Sequence, residues 1–205
     1  PQLRFFIDQG NQIKKRAAVL GEITKDTVLF AIAGTHGKTT TASFLTHYFA
    51  HLNLEFTAFL GGIMNEYQSN LIQKGKRYSI VEADEYDRSF LTLHPQAAVV
   101  TSTDADHLDI YGDGDSVVES FQLFVNQIKS DGFFIQKKGL SLKSALGGST
   151  FGIDQGDFQA HNIRIEDHRM IFDMLYPGGE VKDIPMRIPG FHNIENALAA
   201  AALAM

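Results

Sequence analysis

Apolar residues along this chain come in two rhythms. Short, nearly unbroken runs occur at Thr27 to Ala33, Phe56 to Leu60, Tyr78 to Val81, Ala97 to Val100 and Gly132 to Ile135. Runs of this length, followed by polar residues, read as buried strands. Between them apolar residues recur at three- and four-residue spacing. One set is Ala42, Phe44, Leu45, Tyr48, Phe49 and Leu52, and another is Val117, Val118, Phe121, Phe124, Val125 and Ile128 within Ser116 to Ile128. That is the period of amphipathic helices. Strands alternating with helices predict βαβ units and a parallel sheet. After Gly147 the helical period disappears. Gly148 to Ile153, Phe158 to Glu166, Arg169 to Leu175 and Val181 to Ile188 follow one another, punctuated by Pro177-Gly178-Gly179, which predicts an antiparallel meander. The expected fold is therefore α/β: a P-loop-type, mostly parallel sheet flanked by helices, with a smaller antiparallel β-meander appended. Residues 1 to 26 read as helix, short strand, helix. Asn65 to Asn70 reads as a loop near the ligand, and Asn193 to Met205 as a helix.

The first strand enters Gly34-Thr35-His36-Gly37-Lys38-Thr39-Thr40-Thr41 and then a helix opening at Thr39. Glycines let backbone N–H groups close around an anion, Lys38 adds a cation, and the helix N-terminus points its dipole at the same place. A Thr39 or Thr40 hydroxyl can ligate a phosphate-bound Mg²⁺. The spacing departs from the general pattern G-x-x-x-x-G-K-[ST]: five residues before Gly37 stands Ile32, and the leading glycine is Gly34.

Composition narrows the function classes. Hydrophobic residues make up 44% and charged residues 20%, which excludes a largely disordered chain. Eighteen basic against 24 acidic residues give a net charge of −6, so no global field favours nucleic acid or an anionic membrane. Any anion must be held by local groups. The absence of cysteine excludes disulfides and thiolate metal sites and fits a cytoplasmic protein. Lys14, Lys15 and Arg16 read as a solvated charged face, and His47 and His51 as surface histidines. Both ends read as cut, so the chain is expected to be a fragment.

Two further polar clusters stand at predicted strand ends. The third strand runs into Glu82, Asp84, Glu85 and Asp87, and the fourth into Asp104, Asp106, His107 and Asp109. Ligands of open parallel sheets bind beyond such carboxyl ends. Mg²⁺ accompanies the phosphates of ATP and takes oxygen ligands, and a histidine among carboxylates can ligate a second metal. Two cations bridging phosphate oxygens would neutralise charge as a phosphoryl group moves.

Four ordered motifs together resemble the Mur ligases, the ATP-dependent amide-forming enzymes of peptidoglycan synthesis. They are Gly34 to Thr41, Glu82-Ala83-Asp84-Glu85-Tyr86-Asp87, Asp104 to Gly112 and Gly190-Phe191-His192-Asn193-Ile194-Glu195-Asn196-Ala197-Leu198. The resemblance implies a three-domain enzyme of which residues 1–26 are the end of the UDP-binding domain and its linker, and residues 27–205 the central ATP-binding domain. It implies that Gly34, Thr35, His36, Gly37, Lys38, Thr39, Thr40, His192, Asn193 and Asn196 bind ATP, with Lys38 on the β- and γ-phosphates and the asparagines facing the adenine. Thr39, Glu82 and His107 would be metal ligands, and Lys38, Glu82 and His107 the catalytic set. Amide side chains suit a base edge that both donates and accepts, and Asn193 can cap its helix at the same time.

The implied reaction activates the lactyl carboxylate of UDP-N-acetylmuramate as an acyl phosphate, which the amine of L-alanine attacks. Several Mur ligases carry a carbamylated lysine downstream of the motif histidine. Here no lysine stands between Lys76 and Lys129, which fits the alanine-adding branch. Arg88-Ser89-Phe90-Leu91 and His107 to Gly112 also resemble that branch more than the one that attaches a whole tripeptide. A P-loop kinase or NTPase is the remaining alternative, and it assigns no role to the motif around His192.

Overall fold

A computed structural model describes residues 2–104 and 114–205 of the chain. The N-terminal helices α1 (Gln2–Asp8) and α2 (Arg16–Thr24) lead into strand β1 (Val28–Ala33), and helix α3 (Lys38–His51) follows. Next come β2 (Phe56–Met64), β3 (Ser69–Gln73), β4 (Tyr78–Glu82) and a 3₁₀ segment (Tyr86–Thr92). The chain continues through β5 (Ala97–Val100), helix α4 (Gly114–Val125), β6 (Phe133–Lys137) and β7 (Ser149–Ile153). It closes with β8 (Phe158–Glu166), β9 (Arg169–Tyr176), β10 (Gly179–Met186) and helix α5 (Phe191–Ala204).

All ten strands form one sheet in the order β10-β9-β8-β7-β6-β5-β1-β4-β2-β3. From β2 across to β8 every pairing is parallel, and the two outer regions are antiparallel. β1 is buried on both faces, as a central parallel strand must be. Phe30 and Ile32 join Leu45, Phe49, Ile80, Ile194 and Leu198 under α3 and α5. Leu29, Ala31 and Ala33 point the other way, into a core with Phe90, Phe121 and Phe124 under α4. There Phe90 stacks on Phe124 at 5.0 Å and meets Phe121 edge-on at 5.4 Å, which fixes the 3₁₀ segment against α4.

Several expectations need correction. No strand lies between α1 and α2. The segment expected as a loop around Asn65 to Asn70 is instead the turn and first residues of a hairpin, β2 pairing with β3 at the sheet edge. The last part of the sheet is antiparallel only from β8 onward, because β7 pairs parallel to both β6 and β8. Parallel neighbours ordinarily need a crossover of roughly a dozen residues or more. Here residues 154–157 suffice: Asp157 Oδ2 accepts bonds from the Thr150 backbone N–H at 2.7 Å and from its hydroxyl at 2.9 Å, folding the chain back beside β7.

The antiparallel strands carry two bulges that flank one residue. Register slips between His161 and Arg164 on β8 and between Val181 and Ile184 on β10. Asn162 and Asp183 in these bulges adopt φ values of 49° and 57°, left-handed backbone that costs a non-glycine residue energy. Both donate to buried Asp173 of β9: the Asp183 backbone N–H at 2.8 Å to Oδ1, and Asn162 Nδ2 at 2.8 Å to Oδ2. These bonds hold the Asp173 carboxyl below the usual carboxylate range.

Candidate functional site

β4, β1 and β5 are neighbours in that order, so their C-terminal ends open side by side at one edge of the sheet. The direction of connection reverses here, since the chain passes from β4 on one side of β1 to β5 on the other. Such a switch point is a crevice by construction. The three polar clusters expected at strand ends start from these ends: Gly34 after β1, Glu82 at the end of β4 and Thr101 after β5.

The loop from Gly34 to Gly37 is pinned to the β5 end from several directions. Thr35 Oγ1 lies 2.8 Å from Ser102 Oγ, which also accepts from the His36 backbone N–H at 2.9 Å. Thr101 Oγ1 donates to the His36 carbonyl at 2.5 Å, and the Asp104 N–H donates to Thr35 Oγ1 at 3.1 Å. His36 Nε2 and Asp104 Oδ2 stand 3.7 Å apart, both largely exposed. Glycine is required twice. At Gly34, φ is 133° and a Cβ would collide with Thr101 Oγ1. At Gly37, φ is 85° and a Cβ would collide with Asn196 Oδ1. Gly37 caps α3, which begins at Lys38, one residue earlier than expected.

Lys38 is largely buried, and its ammonium lies 2.6 Å from the Gly34 carbonyl and 2.7 and 3.0 Å from the two carboxylate oxygens of Glu85. Thr39 Oγ1 donates to Glu82 Oε2 at 3.0 Å, while Glu82 Oε1 accepts from the Gly61 N–H at 2.8 Å. Burial pushes the Glu82 carboxyl up from its ordinary value. The Gly61 N–H, the Thr39 hydroxyl and the charge of Lys38 oppose that rise, and Asp84 adds to it. Thr39 and Glu82 fit a Mg²⁺ ion. Octahedral oxygen ligands at about 2.1 Å stand about 3.0 Å from their neighbours, the separation these two oxygens have. Thr39 and Glu82 could hold the ion. His107 lies outside the described residues.

On the other side of the loop, α5 completes a cavity of 390 Å³ whose walls include His36, Gly37, Thr40, Ser102, His192 and Asn193. Asn196 is buried against the loop, its Oδ1 accepting from Thr41 Oγ1 at 3.3 Å. Asn193 does not cap the helix. Gly190 occupies the cap position, and Asn193 Nδ2 donates to the Pro189 carbonyl at 2.7 Å. Lys137 and Glu195, paired at 2.8 Å, close the far wall. The cavity lies between the Gly34 to Gly37 loop and the last helix, which are brought together only because α3 and α5 cover the same face of the sheet.

The structure thus places Gly34, Thr35, His36, Gly37, Lys38, Thr39, Thr40, Glu82, His192, Asn193 and Asn196 around one crevice. It also adds residues the sequence did not single out. Ser102 and Thr101 anchor the loop, and their signal was the polar run after the fourth strand. Arg16 was read as part of a solvated face, yet with Ala17 and Leu20 of α2 it lines a second cavity of 240 Å³ that reaches Lys38 and Glu82. Nothing in a lone Lys-Lys-Arg run announces that. Away from the crevice, His47 is exposed and pairs with Glu66 at 3.3 Å. Among the described residues, His161, Asp173 and Glu180 of β8, β9 and β10 also gather ligand-type atoms within 4.8 Å of one another. There Asp173 already accepts from Asn162 and Asp183, and Arg164 Nη1 stands 3.6 Å from it.

The sheet order and the glycine-pinned loop define a P-loop-type α/β domain. More narrowly, the pattern of the Mur ligase middle domain matches residues 32–204, and the chain belongs to that family. Among curated relatives, a UDP-N-acetylmuramate–L-alanine ligase of Flavobacterium psychrophilum is 49% identical over 98% of this chain and 44% of its own length. That of Porphyromonas gingivalis is 42% identical over 99% of this chain and 46% of its own length. The chain therefore spans under half the length of these relatives. Among solved structures, the UDP-N-acetylmuramate–alanine ligase MurC of Thermotoga maritima superposes with a TM-score of 0.84 at 28% identity, over 99% of this chain and 47% of that one. A ligase from Neisseria that attaches L-alanyl-γ-D-glutamyl-meso-diaminopimelate reaches 0.85 at 24% identity, over 98% of this chain and 68% of that one, a likeness of fold. No helix among the described residues is long and apolar enough to cross a membrane.

Proposed function

We propose that the chain is the ATP-binding part of a cytoplasmic ligase that joins L-alanine to the lactyl carboxylate of UDP-N-acetylmuramate. One observation carries the reading: Lys38, Thr39 and Glu82 converge beside a glycine-pinned loop where β4, β1 and β5 end together. Identity of 42 to 49% to ligases named for L-alanine supports the choice of amino acid. Residues 1–26 would be the end of a preceding UDP-binding domain and its linker, and residues 27–205 the central domain.

In this reading the N–H groups of residues 34–39 and the Lys38 ammonium bind the β- and γ-phosphates of ATP. His192, Asn193 and Asn196 line the space for the adenine side. Thr39, Glu82 and His107 would hold Mg²⁺, which when bound neutralises phosphate charge and eases departure of ADP. The muramyl carboxylate attacks the γ-phosphorus, giving an acyl phosphate and ADP. The amine of L-alanine then attacks the acyl carbon, expelling inorganic phosphate and losing a proton. Lys38 and the loop N–H groups meet the charge that develops on the transferring phosphoryl group. The cavity lined by Arg16 and α2 opens onto the same ammonium and carboxylate, which suits the approach of an anionic acceptor from the preceding domain.

Incorporation of radiolabelled L-alanine into UDP-N-acetylmuramate by the full-length protein tests the reading. ATP-dependent product is expected. Acceptance of tripeptide with refusal of alanine would assign the recycling ligase instead, and ATP hydrolysis at full rate without the muramyl substrate would assign a simple NTPase.

A further inference from the structure

The Lys38 ammonium has three acceptors supplied by the chain itself. A lysine has three protons to donate, and Nζ faces three oxygens: the Gly34 carbonyl at 2.6 Å and both oxygens of Glu85 at 2.7 and 3.0 Å. A phosphate oxygen can be served only if one of these gives way. Glu85 supplies two of the three and is the charged one. It is also 1% exposed, so water has little access to its carboxylate.

The carboxylates after β4 divide their work accordingly. Glu82 faces Thr39 and the Gly61 N–H, on the side suited to a cation. Glu85, one turn further on at the entrance to the 3₁₀ segment, faces the loop's own cation. Both of its oxygens lie within hydrogen-bond reach of the Lys38 ammonium. Charge and geometry therefore make it a rival of the nucleotide rather than a helper.

We propose that Glu85 is a competing anion, holding in the empty site the place on Lys38 that a nucleotide phosphate takes in the loaded one, so that binding displaces it and release restores it. This rests on the reading of Lys38 as a phosphate ligand. The consequence has an unusual sign. Removing the charge while keeping the shape strengthens nucleotide binding and slows release, whereas damage to a binding site does the reverse.

The test measures ADP binding to full-length protein in the presence of a chelator, so that no metal takes part, by calorimetry and by stopped-flow displacement of a fluorescent ADP. Glu85→Gln is expected to lower Kd by about tenfold, the worth of one hydrogen bond to a charged group, with most of the change in the dissociation rate. Glu85→Asp, which draws the carboxylate back by one methylene, is expected to tighten binding by less, and it decides the question by the same sign should Glu85→Gln fail to fold. Unchanged or weaker binding in the folded variant overturns the proposal while leaving the loop's role intact. Wild-type protein that binds no ADP overturns the role of the loop and the proposal with it.

Discussion

Lys38 and Gly37 show how differently two adjacent residues serve one loop. Lys38 supplies charge at a single point, its ammonium. Lys38→Ala in the full-length protein is expected to lower ATP-dependent product formation by about 100-fold or more, as for loss of a donor to a developing oxyanion, and, because it takes the ammonium away from the buried Glu85 carboxylate, to lower the urea midpoint as well. Gly37 supplies a backbone shape. Its φ of 85° and the closeness of Asn196 Oδ1 leave no room for a Cβ. Gly37→Ala is expected to cost about 1–3 kcal/mol of stability, the range for a strained backbone residue, with the loss seen in urea unfolding as well as in nucleotide binding. Both residues were legible in the sequence because the loop is a local object: glycine, lysine and threonine lie within a few positions of one another. Glu85 was legible only as one of four carboxylates. Which of them would face Lys38 and which Thr39 depended on how the chain turns after β4, and no local pattern encodes that turn.

Elements of this domain are stabilised by contacts that sequence periodicity foresees to unequal degrees. The apolar runs and the helical spacing of α3 and α4 were readable because burial repeats along them. Phe90 was not part of any such period, yet it joins the 3₁₀ segment to α4 through its stack with Phe124. Phe90→Ala is expected to cost about 3–5 kcal/mol in urea unfolding, as for other buried phenylalanines, and to loosen the segment that follows Glu85. In the antiparallel strands Asp173 plays the corresponding part with polar bonds. Its carboxyl is held below the usual range by the Asp183 N–H first and Asn162 second. The stability it contributes is thus fully present above the ordinary aspartate value and is lost as pH falls through the lowered one. Asp173→Ala is expected to lower the melting temperature at neutral pH and to flatten its dependence on acid below the ordinary aspartate range. An unaltered acid profile would show that the two bulges do not depend on the carboxylate. The expected antiparallel pairing of β7 failed for a related reason. The sequence shows a short polar turn at residues 154–157, but whether it reverses the chain or loops it back in parallel is decided by Asp157 accepting from both the N–H and the hydroxyl of Thr150.

At the scale of the molecule, the crevice is built from three strand ends, α3 and α5, and it opens toward α2 on one side. In relatives more than twice as long, the corresponding region is less than half of the chain. Residues 1–205 alone are expected to give little or no ligase turnover in the radiolabelled alanine assay, because the determinants of the UDP-sugar and of the amino acid are expected outside them; measurable product would contradict the domain assignment. What the sequence determined by itself was whatever is written in short stretches: the alternation of apolar runs and helical periods, hence a mostly parallel α/β sheet, and the loop after β1 with its glycines, lysine and threonine. Only the tertiary structure decided which distant stretches meet. Strand order put β4 and β5 on either side of β1, helix packing carried Asn196 to the back of Gly37, and burial turned Glu85 from one acid among four into the partner of Lys38. Such contacts join residues 47 and 155 positions apart, and they follow from the packing of whole faces rather than from any local preference.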